Sequence, residues 1–356
     1  MILVLFAVPV FMTSCNKNND NPPDNEVIGW AAGNAHNGFG TIIHTTNGGT
    51  SWERQGDSTM IPDAYLQDIR AVDKNNAWAG GISESGYPVI LRTKDGGITW
   101  VRQGSGSGLP DVSVSGICPV NNDVCWAVAD QGVILKTTDG GNTWTALKAS
   151  IDYSDEYQMV AAADENHVWV VGMGDTVAMI HYTSDGGLTW ERQGTDCLTT
   201  GNMPNALIDI HAVDANFAWA VGPSQAIYTT DGGKTWVNKP TPIGYNHNNG
   251  VCIASNTDIF PYADNLVVWV ATDYNMIFKL SGLNSDWVKQ PGINGALSAM
   301  YMGVAAMDEN MVWITSEGFS GHGQIFHTND GGATWDIQHT PADISLRRIT
   351  FVGGKR

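Results

Sequence analysis

Positive charge is scarce in this sequence. Its 356 residues include 18 Lys and Arg against 36 Asp and Glu, which gives a formal net charge of −18 at pH 7. A protein with this charge repels nucleic-acid phosphates and anionic lipid headgroups, so we expect no nucleic-acid partner and no electrostatic docking on a membrane. Only 15% of the residues are charged and 42% are hydrophobic, which indicates a folded chain and not a disordered acidic one.

Sequence motifs typical of catalytic, phosphate-binding and zinc sites are also missing. The sequence contains no Gly-x-Ser-x-Gly elbow, no phosphate-binding loop and no His/Cys spacing typical of a zinc site. We therefore predict no metal and no cofactor, and a binding protein is favoured over an enzyme without the sequence deciding between them.

The one long apolar run lies at the N-terminus. Ile2 to Met12 is too short to span a bilayer and is typical of a signal-peptide core. The segment Met12-Thr13-Ser14-Cys15 resembles a bacterial lipobox, in which the cysteine receives lipid. We predict a lipoprotein signal peptide over 1–14, lipidation at Cys15, a polar tether over 15–25 and a folded domain over 26–356. An ordinary secretory signal with an incidental cysteine is the alternative.

This N-terminus also predicts a location. The mature protein would lie outside the cytoplasm, anchored by its lipid to a bacterial membrane, which we expect to be the outer membrane on its periplasmic or cell-surface side. The lipid would be the only attachment to that membrane.

What the sequence has in abundance is one octet that ends in tryptophan. Its terminal tryptophans lie 44 to 51 residues apart, a period typical of propellers and other stacked repeats. The copy at Thr137–Trp144 reads TTDGGNTW, with an aspartate followed by a Gly-Gly pair. A seventh copy, LSGLNSDW at Leu280–Trp287, keeps the tryptophan but loses the aspartate and the Gly-Gly pair. The six copies that keep the Gly-Gly pair are Thr45–Trp52, Thr93–Trp100, Thr137–Trp144, Thr183–Trp190, Thr229–Trp236 and Thr328–Trp335.

A second tryptophan precedes the octet tryptophan of each unit by about twenty residues, and the two series account for all 14 tryptophans. Within residues 66–105, turn residues separate four short strands, predicted over Leu66–Val72, Ala77–Gly81, Val89–Thr93 and Thr99–Gln103. Seven such units predict an all-β, seven-bladed β-propeller with four antiparallel strands per blade.

The two ends of the chain predict how the ring closes. Residues 346–356, LRRITFVGGKR, match the first strand of a blade, LQDIRAVDKNN, and the N-terminal EVIGWAAG matches a second strand. We therefore expect the C-terminal strand to join the N-terminal blade and leave no open edge.

The octet resembles the Asp-box, or BNR, repeat known from sialidases and related propellers. The resemblance implies a structural role for the box aspartates Asp95, Asp139, Asp185, Asp231 and Asp330, which accept turn hydrogen bonds away from any ligand. Residues 26–356 as a whole resemble the photosystem II stability/assembly factor-like propellers. That resemblance implies a protein-binding scaffold or assembly factor, here in the cell envelope with an unidentified protein partner.

A glycan-binding or glycoside-hydrolase propeller of the sialidase-like sort is the alternative function. Such sialidases carry six blades and a Phe/Tyr-Arg-Ile-Pro segment, and this sequence predicts seven blades and lacks the segment. Binding of a glycan nevertheless remains an alternative.

Polar side chains on the inner strands and tyrosines on one face form the candidate binding site. An acidic face rich in tyrosine suits a basic or extended peptide. The candidate ligand or partner residues are Asp68, Arg70, Asp209, His211, Arg347, Arg348, Tyr65, Tyr157 and Tyr301.

Cys118 and Cys125 flank a short turn, PVNNDV. A two-residue turn at Asn121-Asn122 would place them opposite each other on paired strands, so a disulfide between them is predicted for an oxidising compartment.

Overall fold

The structure is a computed structural model. It describes residues 26–36, 39–104, 109–149, 155–174, 177–195, 198, 206–223, 225–242, 248–255, 266–273, 275–296, 299–318, 323–341 and 344–353. The predicted signal peptide, Cys15 and tether lie outside this part of the chain. Within the described ranges, no helix combines the length and the hydrophobicity needed to cross a membrane.

Seven four-stranded antiparallel sheets form the molecule, so the predicted propeller is confirmed. Blades 1 to 3 use β1 (Val27–His36), β2 (Phe39–Thr45), β3 (Glu53–Arg54), β4 (Ala64–Ala71), β5 (Ala77–Ser83), β6 (Pro88–Thr93), β7 (Val101–Arg102), β8 (Val114–Pro119), β9 (Cys125–Ala129), β10 (Val133–Thr137) and β11 (Thr145–Lys148). Blades 4 and 5 use β12 (Glu156–Ala162), β13 (Val168–Met173), β14 (Ala178–Thr183), β15 (Glu191–Gln193), β16 (Asp209–Ala212), β17 (Ala218–Gly222), β18 (Gln225–Thr229) and β19 (Val237–Asn238). Blades 6 and 7 use β20 (Asn248–Ser255), β21 (Leu266–Thr272), β22 (Met276–Ser281), β23 (Val288–Lys289), β24 (Ala299–Ala306), β25 (Val312–Gly318), β26 (Ile325–Thr328) and β27 (Asp336–Gln338), and β28 (Leu346–Gly353) returns to blade 1.

The ring closes through blade 1, as predicted. Its strand order is β28-β1-β2-β3, and β28 pairs with β1 from Leu346 opposite Gly33 to Gly353 opposite Val27. Phe351 of β28 stacks on Trp313 of blade 7 with 3.7 Å between ring centroids. The closure is therefore a noncovalent joint between the two ends of the chain.

The octets form the turns between the third and fourth strands. In blade 3, Asp139 accepts the Thr143 N–H at 2.9 Å and the Thr143 hydroxyl at 2.7 Å, while the Thr137 hydroxyl accepts the Gly141 N–H. The same bonds to Thr189 and Thr334 hold the pKa values of Asp185 and Asp330 at about 2. Each aspartate thus satisfies the backbone of its own turn, which is the structural role expected of the box.

The second glycine of the box is required at the contact between blades. Gly97 has φ +86°, and a Cβ there would overlap the Gln55 side chain of blade 1. Gly49, Gly141, Gly233 and Gly332 face Gln338, Gln103, Gln193 and Gln290 in the same way. The Gly-Gly pair therefore provides both the left-handed turn and the space for a glutamine of the preceding blade.

That glutamine joins the inner tryptophan of its own blade to the octet of the next blade. Gln55 Oε1 accepts the indole N–H groups of Trp30 and Trp100, and its amide donates to the Gly96 carbonyl of blade 2 at 2.8 Å. Gln193 repeats this arrangement between blades 4 and 5. The inner tryptophans that precede each octet are all fully buried between blades.

The predicted disulfide between Cys118 and Cys125 is wrong. In the register of β8 with β9, Pro119 lies opposite Cys125 and Cys118 lies opposite Trp126. This offset places the two cysteines on opposite faces of the sheet, because successive side chains of a strand alternate. Cys125 keeps a free, buried thiol, and Cys118 is disulfide-bonded, though not to Cys125.

Candidate functional site

Every inner strand carries one extra residue near its start. In blade 2, Leu66 and Asp68 pair with consecutive residues of β5, so Gln67 forms a β-bulge. Equivalent register shifts occur in five other blades, and in blade 5 both Ile208 and Asp209 lie opposite Val221. The resulting mouth ring, one bulge residue per blade, consists of Arg347, Gln67, Ser115, Gln158, Ile208, Asn249 and Met302.

Small residues on the second strands make room for the bulges. A Cβ at Gly81, Gly172 or Gly222 would overlap a backbone carbonyl on or just before the inner strand of the same blade. In each case this carbonyl belongs to the residue two positions before the bulge residue. Each of these glycines follows the inner tryptophan by three residues, as in WAGG, WVVG and WAVG. This spacing is the sequence signal from which the mouth ring could have been predicted.

The seven bulge residues surround a cavity at the centre of the propeller. Its volume is about 330 Å³, and Ser113, Asp130 and Arg348 complete its lining. The mouth lies on the face that carries the connections between blades, opposite the Asp-box turns. We call this cavity the cup.

A network of opposite charges forms the floor of the cup. Arg70 Nε lies 3.3 Å from Asp68, and its Nη2 reaches across to Asp209 of blade 5 at 3.9 Å. Arg348 Nη1 lies 3.8 Å from Asp209 and donates to the carbonyls of Asn249 and Met302 at 2.9 and 2.8 Å. Burial alone would lower the pKa of Arg70, but Asp68 and Asp209 outweigh this effect and raise it.

Both carboxylates are buried and also bind backbone. Asp68 accepts the N–H groups of Ile69 and of Ile117 in blade 3. Asp209 accepts those of Ile210 and of Val251 in blade 6. Each aspartate thus joins neighbouring blades as well as pairing with arginine, so the floor contributes to the ring itself.

Arg347 has a different environment. It turns away from the floor, donates to the Asn34 side chain at 3.1 Å and lies 3.6 Å from Glu317, with both charged side chains partly exposed. His211 lies in the channel beside Arg70, and burial, together with that positive charge, lowers its pKa to about 4. It is therefore neutral near pH 7.

Three tyrosines were predicted on the ligand face, and the structure separates them. Tyr65 is exposed, and so is Tyr87, which precedes β6 on the other side of β5. Tyr157 and Tyr301 are fully buried between blades, where Tyr157 hydrogen-bonds His181 at 3.0 Å. These two side chains have structural positions and do not face the cup.

Asp130 also lines the cup, although it was not among the residues predicted from the sequence. It follows β9 at a tight turn in which Gln131 and Gly132 both have positive φ, and it lines the cup two blades away from Arg347. Burial, and then the nearby Glu156, raise the pKa of its carboxyl group. The rim of the cup thus has a basic side on blade 1 and an acidic side on blades 3 and 4.

Among the residues that the structure describes, no three His, Cys, Asp or Glu side chains are placed to hold a metal ion. The cup offers charged and amide groups for binding but no assembled metal centre in this part of the chain.

Comparisons with known proteins place this geometry in a family. The family model "Photosynthesis system II assembly factor YCF48" matches residues 60–200 and 149–242, which together span half of the chain. No curated protein matches.

Solved structures share the fold at low sequence identity. A YCF48 structure bound to a D1 peptide is 18% identical with a TM-score of 0.57, covering 77% of this chain and 81% of that one. YCF48 from Cyanidioschyzon merolae is 19% identical with a TM-score of 0.58, covering 77% and 85%. An ancestral GH74 enzyme is 13% identical with a TM-score of 0.56, but the match covers 88% of this chain and only 55% of that one.

The match to the GH74 enzyme shows the propeller fold alone, whereas the family model rests on the sequence of the repeats. With a closed seven-bladed ring in which Asp-box turns contact the next blade, the chain belongs to the YCF48 family of photosystem II assembly factor-like propellers.

Proposed function

We propose that this chain is a lipid-anchored, extracytoplasmic assembly or stability factor that holds a polypeptide segment of a membrane-associated partner in the cup. Family membership supports the scaffold role at a general level. The lipobox-like residues Met12 to Cys15 support the anchor, and attachment to the outer membrane is part of the proposal.

The observation that carries this function is the shape and charge of the cup. Its floor carries the Arg70, Asp209 and Arg348 network, so a segment that enters the mouth meets charged groups at that end. A volume of about 330 Å³ is at the small end for ligand sites and suits a chain end or the tip of a loop. Arg347 and Asp130, two blades apart in the lining, favour a segment that carries both charges.

The surface beside the cup extends the contact. Tyr65, two residues before the bulge residue Gln67, is exposed, and so is Tyr87 in the same blade. Tyrosine contributes strongly to protein interfaces because it offers a large rigid surface with a polar end. One solved YCF48 structure holds a D1 peptide, which supports peptide binding by propellers of this family.

Cross-linked affinity purification from native membranes tests the proposal. The mouth variant combines Arg347→Ala with Asp130→Asn, and the matched control combines Lys94→Ala with Asp286→Asn, the same changes at exposed residues away from the cup. We expect the wild type and the control to enrich one protein that the mouth variant loses. Peptides from that protein should bind the mouth variant at least tenfold more weakly.

Equal enrichment by all three proteins would refute the cup as the binding site. If none enriches a protein but a glycan array gives a signal that the mouth variant loses, the glycan alternative replaces the scaffold. The anchor has a separate test, since incorporation of an alkyne-labelled fatty acid should be lost on Cys15→Ser.

A further inference from the structure

One position in each blade, immediately before the octet, lies against the inner tryptophan of that blade. In blades 2, 3 and 6 this residue is a cation over the indole, at 4.4 to 4.8 Å from the ring centroid. In blades 4 and 5 it is a tyrosine, and in blades 7 and 1 it is a histidine. In blade order from 1 to 7 the residues are His44, Arg92, Lys136, Tyr182, Tyr228, Lys279 and His327.

Each of the cations finds an acceptor in the next blade. Lys136 donates to the carbonyl of Gly186 at 2.8 Å, and Lys279 donates to that of Gly331 at 3.0 Å. Arg92 donates to the carbonyls of Gly140 and of Asn122. A positive charge at this position is therefore accommodated when a box carbonyl is available to accept its hydrogen bond.

The two histidines lack such an acceptor. The Nε2 atoms of His44 and His327 are buried without a hydrogen-bond partner. The Gly48 carbonyl next to His327 already accepts two hydrogen bonds, from Trp313 and Gln338, and the Gly96 carbonyl in the box that follows His44 accepts a bond from Gln55 and none from His44 Nε2. A proton added to either Nε2 would leave a buried N–H unsatisfied, which destabilises the closed contact.

Both histidines flank the closure blade. His44 faces the contact between blades 1 and 2, and His327 faces the contact between blades 7 and 1. We propose that protonation of His44 and His327 releases blade 1 from its neighbours, so that the propeller opens at its noncovalent closure when the pH falls.

The charged groups around the two rings fix the direction of the effect. Glu53 lies opposite His44 on β3, and the neighbouring turns of blade 2 carry Asp73, Lys74, Lys94 and Asp95. Asp336 contacts His327 Nδ1 at 3.3 Å, and the exposed His339 lines the same pocket as His327, while the box of blade 1 has the neutral Asn47 in place of an aspartate.

Burial lowers the pKa of His44 to about 4, and it lowers that of His327 although Asp336 opposes the shift. Because the folded values lie below the value of about 6.5 in an open chain, the closed ring binds fewer protons than the open one. The stability that depends on this difference is complete above pH 6.5 and is lost as the pH falls toward 4. His44 alone would raise the opening equilibrium about 30-fold at pH 5.

Hydrogen exchange of the full-length protein at pH 7.5 and pH 5.0, corrected for intrinsic exchange, tests the proposal. We expect opening of β1 and β28 to increase about 30-fold or more at pH 5.0, while β9 in blade 3 stays protected. The double variant His44→Tyr, His327→Tyr, which copies the residue of blades 4 and 5, should show less than a threefold increase. His339→Tyr, at an exposed position, should behave as the wild type.

Equal protection of β1 and β28 at the two pH values would overturn the proposal, as would an unchanged increase in the double variant. An increase of the same size in every blade would also contradict it, because that result indicates global unfolding. If tyrosine disturbs the packing, His44→Gln with His327→Gln provides a neutral replacement of similar size with the same expected outcome.

Discussion

The two faces of this propeller use repetition in opposite ways. On the face with the Asp-boxes, nearly the same residues return in blade after blade and make the same bonds, from Thr93 and Asp95 to Thr328 and Asp330. At the mouth, the same backbone bulge returns in each blade but presents six residue types, from Ser115 to Arg347. Identical side chains mark the positions that hold the ring together, and varied side chains on identical backbone mark the positions free to bind.

We expect the largest loss of stability from a change at the strand that closes the ring. Removing residues 346–356 deletes β28, whose Leu346, Ile349, Phe351 and Val352 are buried. Each such side chain contributes about 1.5–3 kcal/mol, so the sum approaches the whole stability of a typical domain. We expect loss of the cooperative thermal transition by circular dichroism. Removing only 354–356 is the control, and a cooperative transition in the longer deletion would show that the ring does not need its closure strand.

A large effect is also expected at the floor of the cup. Its residues are not repeated from blade to blade, yet they help to hold the ring together. Asp209→Asn keeps the shape of the side chain but removes the charge that lies between Arg70 and Arg348. Breaking a buried ion pair costs about 3–5 kcal/mol, measurable by urea unfolding. Asp286→Asn, at an exposed site, should change the free energy of unfolding by less than about 0.5 kcal/mol. A similar small change for Asp209→Asn would mean that the floor serves binding only.

The sequence could predict the box face and the closure because periodic residues carry them. The inner tryptophans, the Gly-Gly pairs and the match of 346–356 to a first strand all recur at readable spacing. The mouth could not be read in this way, since a one-residue bulge shifts which side chains face the channel. That shift buried Tyr157 and Tyr301 between blades, and Asp130 was missed because its turn resembles any short hairpin.

Register explains the other error. The turn between Cys118 and Cys125 is one residue out of the predicted alignment, and a shift of one residue moves a side chain to the other face of a strand. Spacing along a sequence therefore predicts which strands pair more reliably than which atoms meet.

A matched pair of glycines measures what the box face requires. Gly97 and Gly86 have nearly the same φ, +86° and +87°, but a Cβ would overlap Gln55 at Gly97 and would meet nothing within 4 Å at Gly86. Gly86→Ala should cost about 1–2 kcal/mol for its backbone conformation alone. Gly97→Ala should cost more than that by urea unfolding. Equal costs would mean that Gln55 moves aside freely and that the second glycine is kept for its backbone angle only.

Two glutamines, Gln55 and Gln103, occupy equivalent positions in blades 1 and 2 but have different hydrogen-bond partners. Gln55→Leu leaves the indole N–H groups of Trp30 and Trp100 without an acceptor and should cost about 1–3 kcal/mol. Among the residues that the structure describes, Gln103 donates its amide to the Val101 carbonyl two residues earlier, while Arg92 joins blades 2 and 3. Gln103→Leu should therefore cost less than about 1 kcal/mol. The reverse order would show that the glutamine matters through packing and not through its bonds to the next blade.

The smallest effect is expected in the mouth ring itself. Gln158 is a bulge residue on β12 with a partly exposed side chain at the cup, and its backbone follows the same path as the bulges with serine or methionine at this position. Because no repeat contact depends on its side chain, Gln158→Ala should change the free energy of unfolding by less than about 0.5 kcal/mol, as at other surface positions. Urea unfolding measures this change, and Ser115→Ala serves as a second substitution in the ring. A loss above about 1 kcal/mol at either position would mean that the bulge side chains stabilise the ring, and the variety of the mouth would then need an explanation other than binding.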